Sequence, residues 1–315
     1  MIRHIQFAAL VLAAVLVAGA ASAENLKFAT GRQGGSQYPV SVALTQVIEK
    51  VPGIGEISLV PGGGTGNVIS VGTGKTQIGI TLSNDAVAGI EGHAPFKNKL
   101  PDLVQLLALH AFNVAIIVPA DSDIKAFKDL AGHKVNSGPV GFTINTLSRR
   151  IYKMTGIEKQ VHQSYLQVGD AVEQFKDGHI DALFYAPSDW YGPFIELAQS
   201  RHLRLIQLPR DVMDTLRKAD PSFIEKKFPL KKGIYENLEN QVDTLANRNL
   251  IVANKNAISD QQAYDIVKAV AENWNKITPA EPSFRLFKVP ELAETSGIPI
   301  HPGALRYFRE RGWAK

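Results

Sequence analysis

The chain has no cysteine in its 315 residues. That excludes disulfides, cysteine-ligated metal centres and a thiol nucleophile. It also excludes the cysteine through which a surface lipoprotein is anchored. Charge of either sign is in small excess. Thirty-four Lys and Arg stand against 30 Asp and Glu, a formal +4 that falls to +3 without Arg3. The basic residues are scattered, which speaks against nucleic acid as a partner. Beyond the first residues there is no second long apolar run, no low-complexity tract and no short-period repeat. The eight histidines include no pair three or four residues apart, so no zinc site lies along one helix. The nucleotide and nucleophile signatures are missing too. "GTGKT" (72–76) resembles the end of a P-loop, but Ile69 stands where its first glycine is required. "GGSQY" has Tyr38 where a nucleophile elbow needs glycine, and no glycine loop completes G-x-G-x-x-G. No cofactor is expected.

What is present begins with an apolar stretch, Phe7 to Ala18, followed by Ala21-Ser22-Ala23. The run is short for a membrane span and ends in a small-x-small site. Residues 1–23 therefore read as a secretory signal peptide cleaved after Ala23, not as an anchor. A periplasmic location is the expectation. The remainder, 45% hydrophobic over the full chain, suffices for one large domain or two lobes.

The main chain-wide pattern is a strand, a glycine loop and a helix, repeated. "LKFAT" is followed by "GRQGGSQYP", after which Val40, Leu44, Val47 and Val51 recur at helical spacing. A second loop, Gly62 to Gly66, follows the strand near Ile57–Val60, with Thr65 and Asn67 as helix-capping residues. A third strand ends in Ser83, Asn84 and Asp85, also cap types. The scheme returns at Ser137 to Phe142, ahead of a helix whose Ile144, Leu147 and Ile151 share a face. Alternating strands and helices imply an α/β protein with parallel strands, and ligands at the carboxyl ends of those strands. A helix start carries N–H groups without internal partners and a partial positive charge. Glycine lets an anion approach such backbone closely. Converging loops of this kind suit a carboxylate, though any single one of them also serves as a plain tight turn.

Six segments in order resemble the TAXI class of extracytoplasmic solute receptors of TRAP transporters. They are "ATGRQGGSQYPVSVAL", "PGGGTGNV", "GKTQIGITLSNDA", "IKAFKDLAGHKVNSGPVGFT", "AVEQFKDGHIDALFYA" and "SGIPIHPGALRYFRERG". The resemblance implies a type II periplasmic binding protein, α/β, with two lobes hinged on two crossing strands. Laid on this chain, residues 24–112 and 243–315 form lobe one and 113–242 lobe two. The crossings fall at Phe112–Pro119 and Asp243–Asn254, and Asp211–Lys232 becomes a surface excursion of lobe two. The implied function is non-enzymatic capture of a glutamate- or 2-oxoglutarate-like acid by a monomer, and its delivery to a TRAP membrane component. Carried over position by position, the ligand contacts are Gly35, Ser36 and Tyr38, then Thr65 and Asn67, then Ser83 and Asp85. Lobe two adds Ser137, Gly138, Gly141, Phe142 and Thr143, with Tyr185 and Phe112 along the wall.

Arg32, Gln33, Phe142 and "SDWYGPF" (188–194) depart from the family pattern. Arg32 is either a bidentate partner of a ligand carboxylate or a solvated rim residue. The rings either line the pocket or pack. Two other readings stay open: a receptor for an ABC importer or sensor kinase, since the fold serves all three, and a secreted hydrolase using Ser36 or Ser83 with His110 as its base.

Overall fold

The structure is a computed structural model that describes residues 23–33, 36–140, 142–230 and 234–315. The expected signal peptide, apart from Ala23, lies outside the described residues, as do Gly35 and Gly141. Among the described residues no helix is long and apolar enough to cross a membrane.

In chain order the strands are β1 (Glu24–Thr30), β2 (Ile54–Pro61), β3 (Ile78–Leu82), β4 (Leu103–Asn113), β5 (Ala115–Pro119), β6 (Lys134–Asn136), β7 (His162–Ser164), β8 (Ala182–Tyr185), β9 (Leu203–Leu205), β10 (Ile224–Lys227) and β11 (Asp243–Asn254). The helices are α1 (Gln37–Ile48), α2 (Gly64–Gly72), α3 (Ser83–Glu91), α4 (Thr143–Met154), α5 (Val168–Lys176), α6 (Gly192–Ser200), α7 (Arg210–Ala219), α8 (Asp260–Glu272), α9 (Trp274–Ile277) and α10 (Pro302–Glu310).

Two sheets result. The first runs β10-β11-β3-β1-β2, with β4 on the other edge of β11, and the second runs β7-β6-β8-β5-β9. The expected parallel pairing holds where a helix makes the crossover: β1 with β2 and β3, and β6 with β7 and β8. The long strands break it. β11 is antiparallel to β3, β4 and β10, and β5 is antiparallel to β8 and β9. One passage between the sheets is extended: β4 continues into β5 across Val114, whose N–H donates to the Leu245 carbonyl of β11 at 2.8 Å. The return runs from β9 through α7 to β10. β11 spans the residues expected to make the second crossing, but its strand pairings are all to the first sheet.

Each sheet is covered on both faces, the arrangement that parallel strands require. Helices α1, α8 and α10 close one face of the first sheet over Phe28, Leu44, Ile80 and Phe308, and α2 and α3 close the other over Val68, Val71 and Val87. In the second sheet α4 and α7 lie over Val118, Val135 and Ile151, and α5 and α6 over Ile117, Phe175 and Leu197. The helical spacing read from sequence is borne out in the second sheet's first helix: Ile144, Leu147 and Ile151 of α4 are buried.

Two local expectations are corrected. Asp211–Lys232 is not a plain surface excursion. It contains α7, which buries Val212, Met213 and Leu216, and β10, which pairs with β11 in the first sheet. The stretch is poor in apolar residues, but those it has fall on one helical face. The caps also differ. Helix α2 starts at Gly64, so Thr65 and Asn67 lie inside it, and α3 starts at Ser83 with Leu82 as its cap residue. In neither helix does a side chain cap the first turn.

Candidate functional site

The first turns of α1, α2 and α3 follow the carboxyl ends of β1, β2 and β3, and these three strands are neighbours in the first sheet. In the second sheet α4 starts in the same way after β6. Each helix start presents N–H groups without intrahelical partners. The sequence-derived site residues therefore do gather at strand ends, but the structure divides them by what their side chains already do.

Asn67 is a staple. It is 1% exposed. Its Nδ2 donates to the carbonyls of Thr30 (3.2 Å) and Ile80 (2.8 Å), and its Oδ1 accepts from the Gly63 N–H at 3.1 Å. One amide thus ties the ends of β1 and β3 to the start of α2. Ser83 is fully buried and similarly occupied. Its Oγ donates to the Ser222 carbonyl and accepts from the Asn247 amide and the Arg248 N–H. Ser137 is buried as well, its N–H donating to the Ser164 carbonyl at 2.9 Å and its hydroxyl 3.3 Å from the Tyr152 hydroxyl. The Ser137 carbonyl accepts from Asn145 and Ser148. The side chains of these three residues shape the loops.

Other residues keep accessible surface. Ser36 is exposed, and Tyr38 and Thr65 are half-buried. Gly138 takes φ +76°, a left-handed turn that places the loop before α4. Thr143 opens α4, while Val140 is 73% and Phe142 49% exposed, so this loop offers apolar surface to the outside. Tyr185 stacks on Tyr191 with centroids 6.0 Å apart and meets the edge of Phe194 at 5.5 Å. Phe194 is 2% exposed, so the rings of 188–194 form a packed cluster. Phe112 is half-buried against His110. Arg32 is exposed, which agrees with the rim reading.

Asp85 is the unusual member. It lies in the first turn of α3, half-buried, with Oδ2 so close to α2 that a Cβ on Gly64 would stand 2.8 Å from it. Among the described residues its one side-chain hydrogen bond is a long 3.5 Å contact from Asn84 Nδ2 to Oδ1. Burial pushes its carboxyl up to about 6, and Asp220, of like charge, pushes the same way.

Sequence reasoning missed a second polar group where the two sheets meet. "NRN" places three consecutive buried polar residues in the middle of β11: Asn247, Arg248 and Asn249. Arg248 donates to the Leu109 carbonyl at 3.2 Å and pairs with Glu294, and Gln37 Nε2 donates to Asn249 Oδ1 at 2.7 Å. Nearby, Asp189 accepts from Asn113 Nδ2 (2.8 Å) and from Lys226 Nζ (2.9 Å). Ser188 donates to Glu281, the Trp190 N–H donates to Ser283 Oγ at 3.0 Å, and Arg285 lies over the Trp190 ring. The signal was legible as a polar triplet interrupting a run that burial demands be apolar.

His110 is buried within this region, and among the described residues neither ring nitrogen has a partner. Its ring meets the edges of Phe112 and Phe284 at 4.9 and 5.2 Å. Among the described residues no hydrogen bond joins it to Ser83, whose hydroxyl is instead engaged with Ser222, Asn247 and Arg248. Desolvation holds the His110 imidazole below its usual pKa, although Glu281 and Asp189 pull upward. The unfolded chain therefore takes up a proton here before the folded one does. Stability contributed by neutral His110 is complete above the ordinary imidazole value and is lost as pH falls below it. His110→Phe, which keeps the ring packing, is expected to flatten the decline in melting temperature between pH 7 and 5. An unchanged decline would show that other groups cause it.

Comparisons with known proteins agree with this architecture. Residues 28–312 match the model of the NMT1-like family. A TctC solute binding protein from Polaromonas superposes with a TM-score of 0.54 at 14% identity, covering 92% of this chain and 97% of that one. XAC2383 from Xanthomonas citri, solved with ATP, gives 0.50 at 12% identity, covering 91% and 94%. At such identities the likeness shows the fold.

Proposed function

The chain belongs to the NMT1-like family, and from that premise we propose that it is an exported solute-binding receptor of the TAXI kind. In this reading it captures a small organic acid or amino acid in the periplasm, as a monomer without a membrane anchor, and hands it to a TRAP membrane component. The observation that carries the reading is the gathering of three helix starts at the carboxyl ends of adjacent strands β1, β2 and β3, with a fourth, that of α4, on the second sheet. Backbone N–H groups at such ends bind carboxylates without a salt bridge. Accordingly, Ser36, Tyr38 and Thr65 on one side, and Gly138, Phe142 and Thr143 on the other, are proposed to line the ligand, with Tyr185 at the wall. Gly35 and Gly141 belong to the same two loops.

The lobes are proposed as 24–112 with 243–315, and 113–242, moving about β4–β5 and β11. β10 lies within 113–242 yet pairs with β11 in the first sheet, so the proposed hinge comprises β4–β5 together with β10 and β11. Ligand is then expected to close the lobes and to raise the melting temperature by mass action. Native mass spectrometry of the freshly purified mature protein identifies a retained acid. Small-angle scattering with that acid is expected to show a smaller radius of gyration. An unchanged radius at saturating ligand would sink the clamshell mechanism.

A further inference from the structure

The receptor reading leaves open whether the ligand is a plain organic acid or an amino acid. Resting on that reading, we propose that the site takes an α-amino acid, with Asp85 as the residue that binds its ammonium group and so rejects amine-free acids of the same skeleton.

Asp85 sits at the point where two helix starts meet. It opens α3 and touches Gly64, the first residue of α2. The helix starts supply N–H donors, which suit a carboxylate. Asp85 supplies the opposite chemistry a few ångströms away. Its carboxylate is acceptor-only, and among the described residues Asn84 Nδ2, at 3.5 Å, is its one side-chain donor. An ammonium brings three donors and no acceptor, and is the group that such a carboxylate lacks.

The charge balance points the same way. Among the described residues Asp85 forms no ion pair, and the charge that bears on it, Asp220 beyond the end of α7, is negative. Asp220 is itself held, accepting from the Ser222 N–H at 2.9 Å. Asn84 on its own helix and Gly64 on the packed helix are uncharged. A carboxylate half-removed from water without a cation is costly, and an incoming ammonium removes that cost while an incoming carboxylate adds to it. A zwitterion satisfies both halves of the junction, its carboxylate on the helix starts and its ammonium on Asp85.

The test uses the mature protein, with each proteinogenic L-amino acid run beside its 2-oxo acid in thermal-shift and calorimetric titrations. The expected result is that at least one amino acid binds and that its 2-oxo acid binds at least about 30-fold more weakly, the loss typical of a charge left without its partner. Asp85→Asn is expected to bring the two within a few-fold of each other. Lowering pH from 7.5 to 5 protonates Asp85, so affinity for the amino acid is expected to fall, whereas a carboxyl-to-carboxylate contact would strengthen. Equal or tighter binding of the 2-oxo acid, or affinity rising on acidification, overturns the inference and leaves the carboxylate receptor intact. If no member of either set binds, the inference fails, while the receptor reading is decided separately by the retained acid that native mass spectrometry identifies. The wild-type comparison needs no variant, so poor folding of Asp85→Asn would not spare the proposal.

Discussion

Gly303→Ala is expected to lower stability by about 3 kcal/mol or more, the cost of a backbone clash that neither side can relieve. Gly303 lies in the first turn of α10, where that helix crosses the start of α8. A methyl group there would overlap the Asp260 carbonyl oxygen and stand 2.7 Å from its carbon and 2.9 Å from its Cα. All three are main-chain atoms, so no rotamer change makes room. The neighbouring geometry is fixed as well. His301, 1% exposed, accepts from the Gly303 N–H through Nδ1 at 3.3 Å, and its Nε2 lies 3.0 Å from the Ile258 carbonyl. Separating α10 from α8 would open the core around Phe308, Tyr307 and Ile266. For a chain of this size each kcal/mol moves the melting temperature by roughly 2–4 °C, so a fall of about 6–12 °C is expected. Gly66→Ala is the control. It lies inside α2 with nothing within 4 Å of the added methyl, and a helical Gly→Ala change is neutral or gains about 0.5–1 kcal/mol. If Gly303→Ala melts within a degree or two of the parent, the helices do not approach as described.

The sequence carried much of this architecture. Strand–loop–helix units announced themselves through apolar spacing and glycine, because both are local: a helix face repeats within a few residues and a left-handed turn is confined to one. The strands β4–β5 and β11 fall on the segments that the resemblance offered as crossings, while the earlier return through β10 went unseen. What stayed hidden is non-local. Nothing near Asn67 says that its amide will meet Thr30 and Ile80, 37 and 13 residues away, so it read as a helix cap. Ser83 read as a cap for the same reason, though its hydroxyl serves β11 and Ser222. β10 could not be assigned, since "IEKK" has no strand signature and pairs only because β11 offers an edge. The character of Asp85 was also invisible, because its carboxyl is raised first by burial, which only the fold sets, and then by Asp220, 135 residues further along. The triplet in β11 is the one signal that was legible and passed over: charged and amide groups in a buried strand are expensive, so their presence there marks a junction.

Asn67→Ala is expected to cost about 2–4 kcal/mol, and the loss should appear before any ligand is added. The substitution deletes three hydrogen bonds at once. A neutral hydrogen bond is worth about 1 kcal/mol net, and a buried group left without a partner costs about 1–3 kcal/mol. The penalty is moderated at Thr30, whose carbonyl still accepts from the Gly62 N–H at 2.9 Å. Among the described residues the Gly63 N–H has no such substitute. Asn67→Asp is expected to fare no better. It keeps an acceptor for Gly63 but turns a carboxylate toward two carbonyl oxygens in a site that is 1% exposed. The two roles open to Asn67 separate cleanly in a melt of the ligand-free protein. A ligand contact would leave that melting temperature unchanged and weaken binding alone. A staple lowers it first and weakens binding only as the glycine loop at Gly62–Gly64 loses its hold on the ends of β1 and β3. An unchanged ligand-free melt with lost affinity would return Asn67 to the ligand and transfer the task of fixing α2 to its packing through Val68 and Val71.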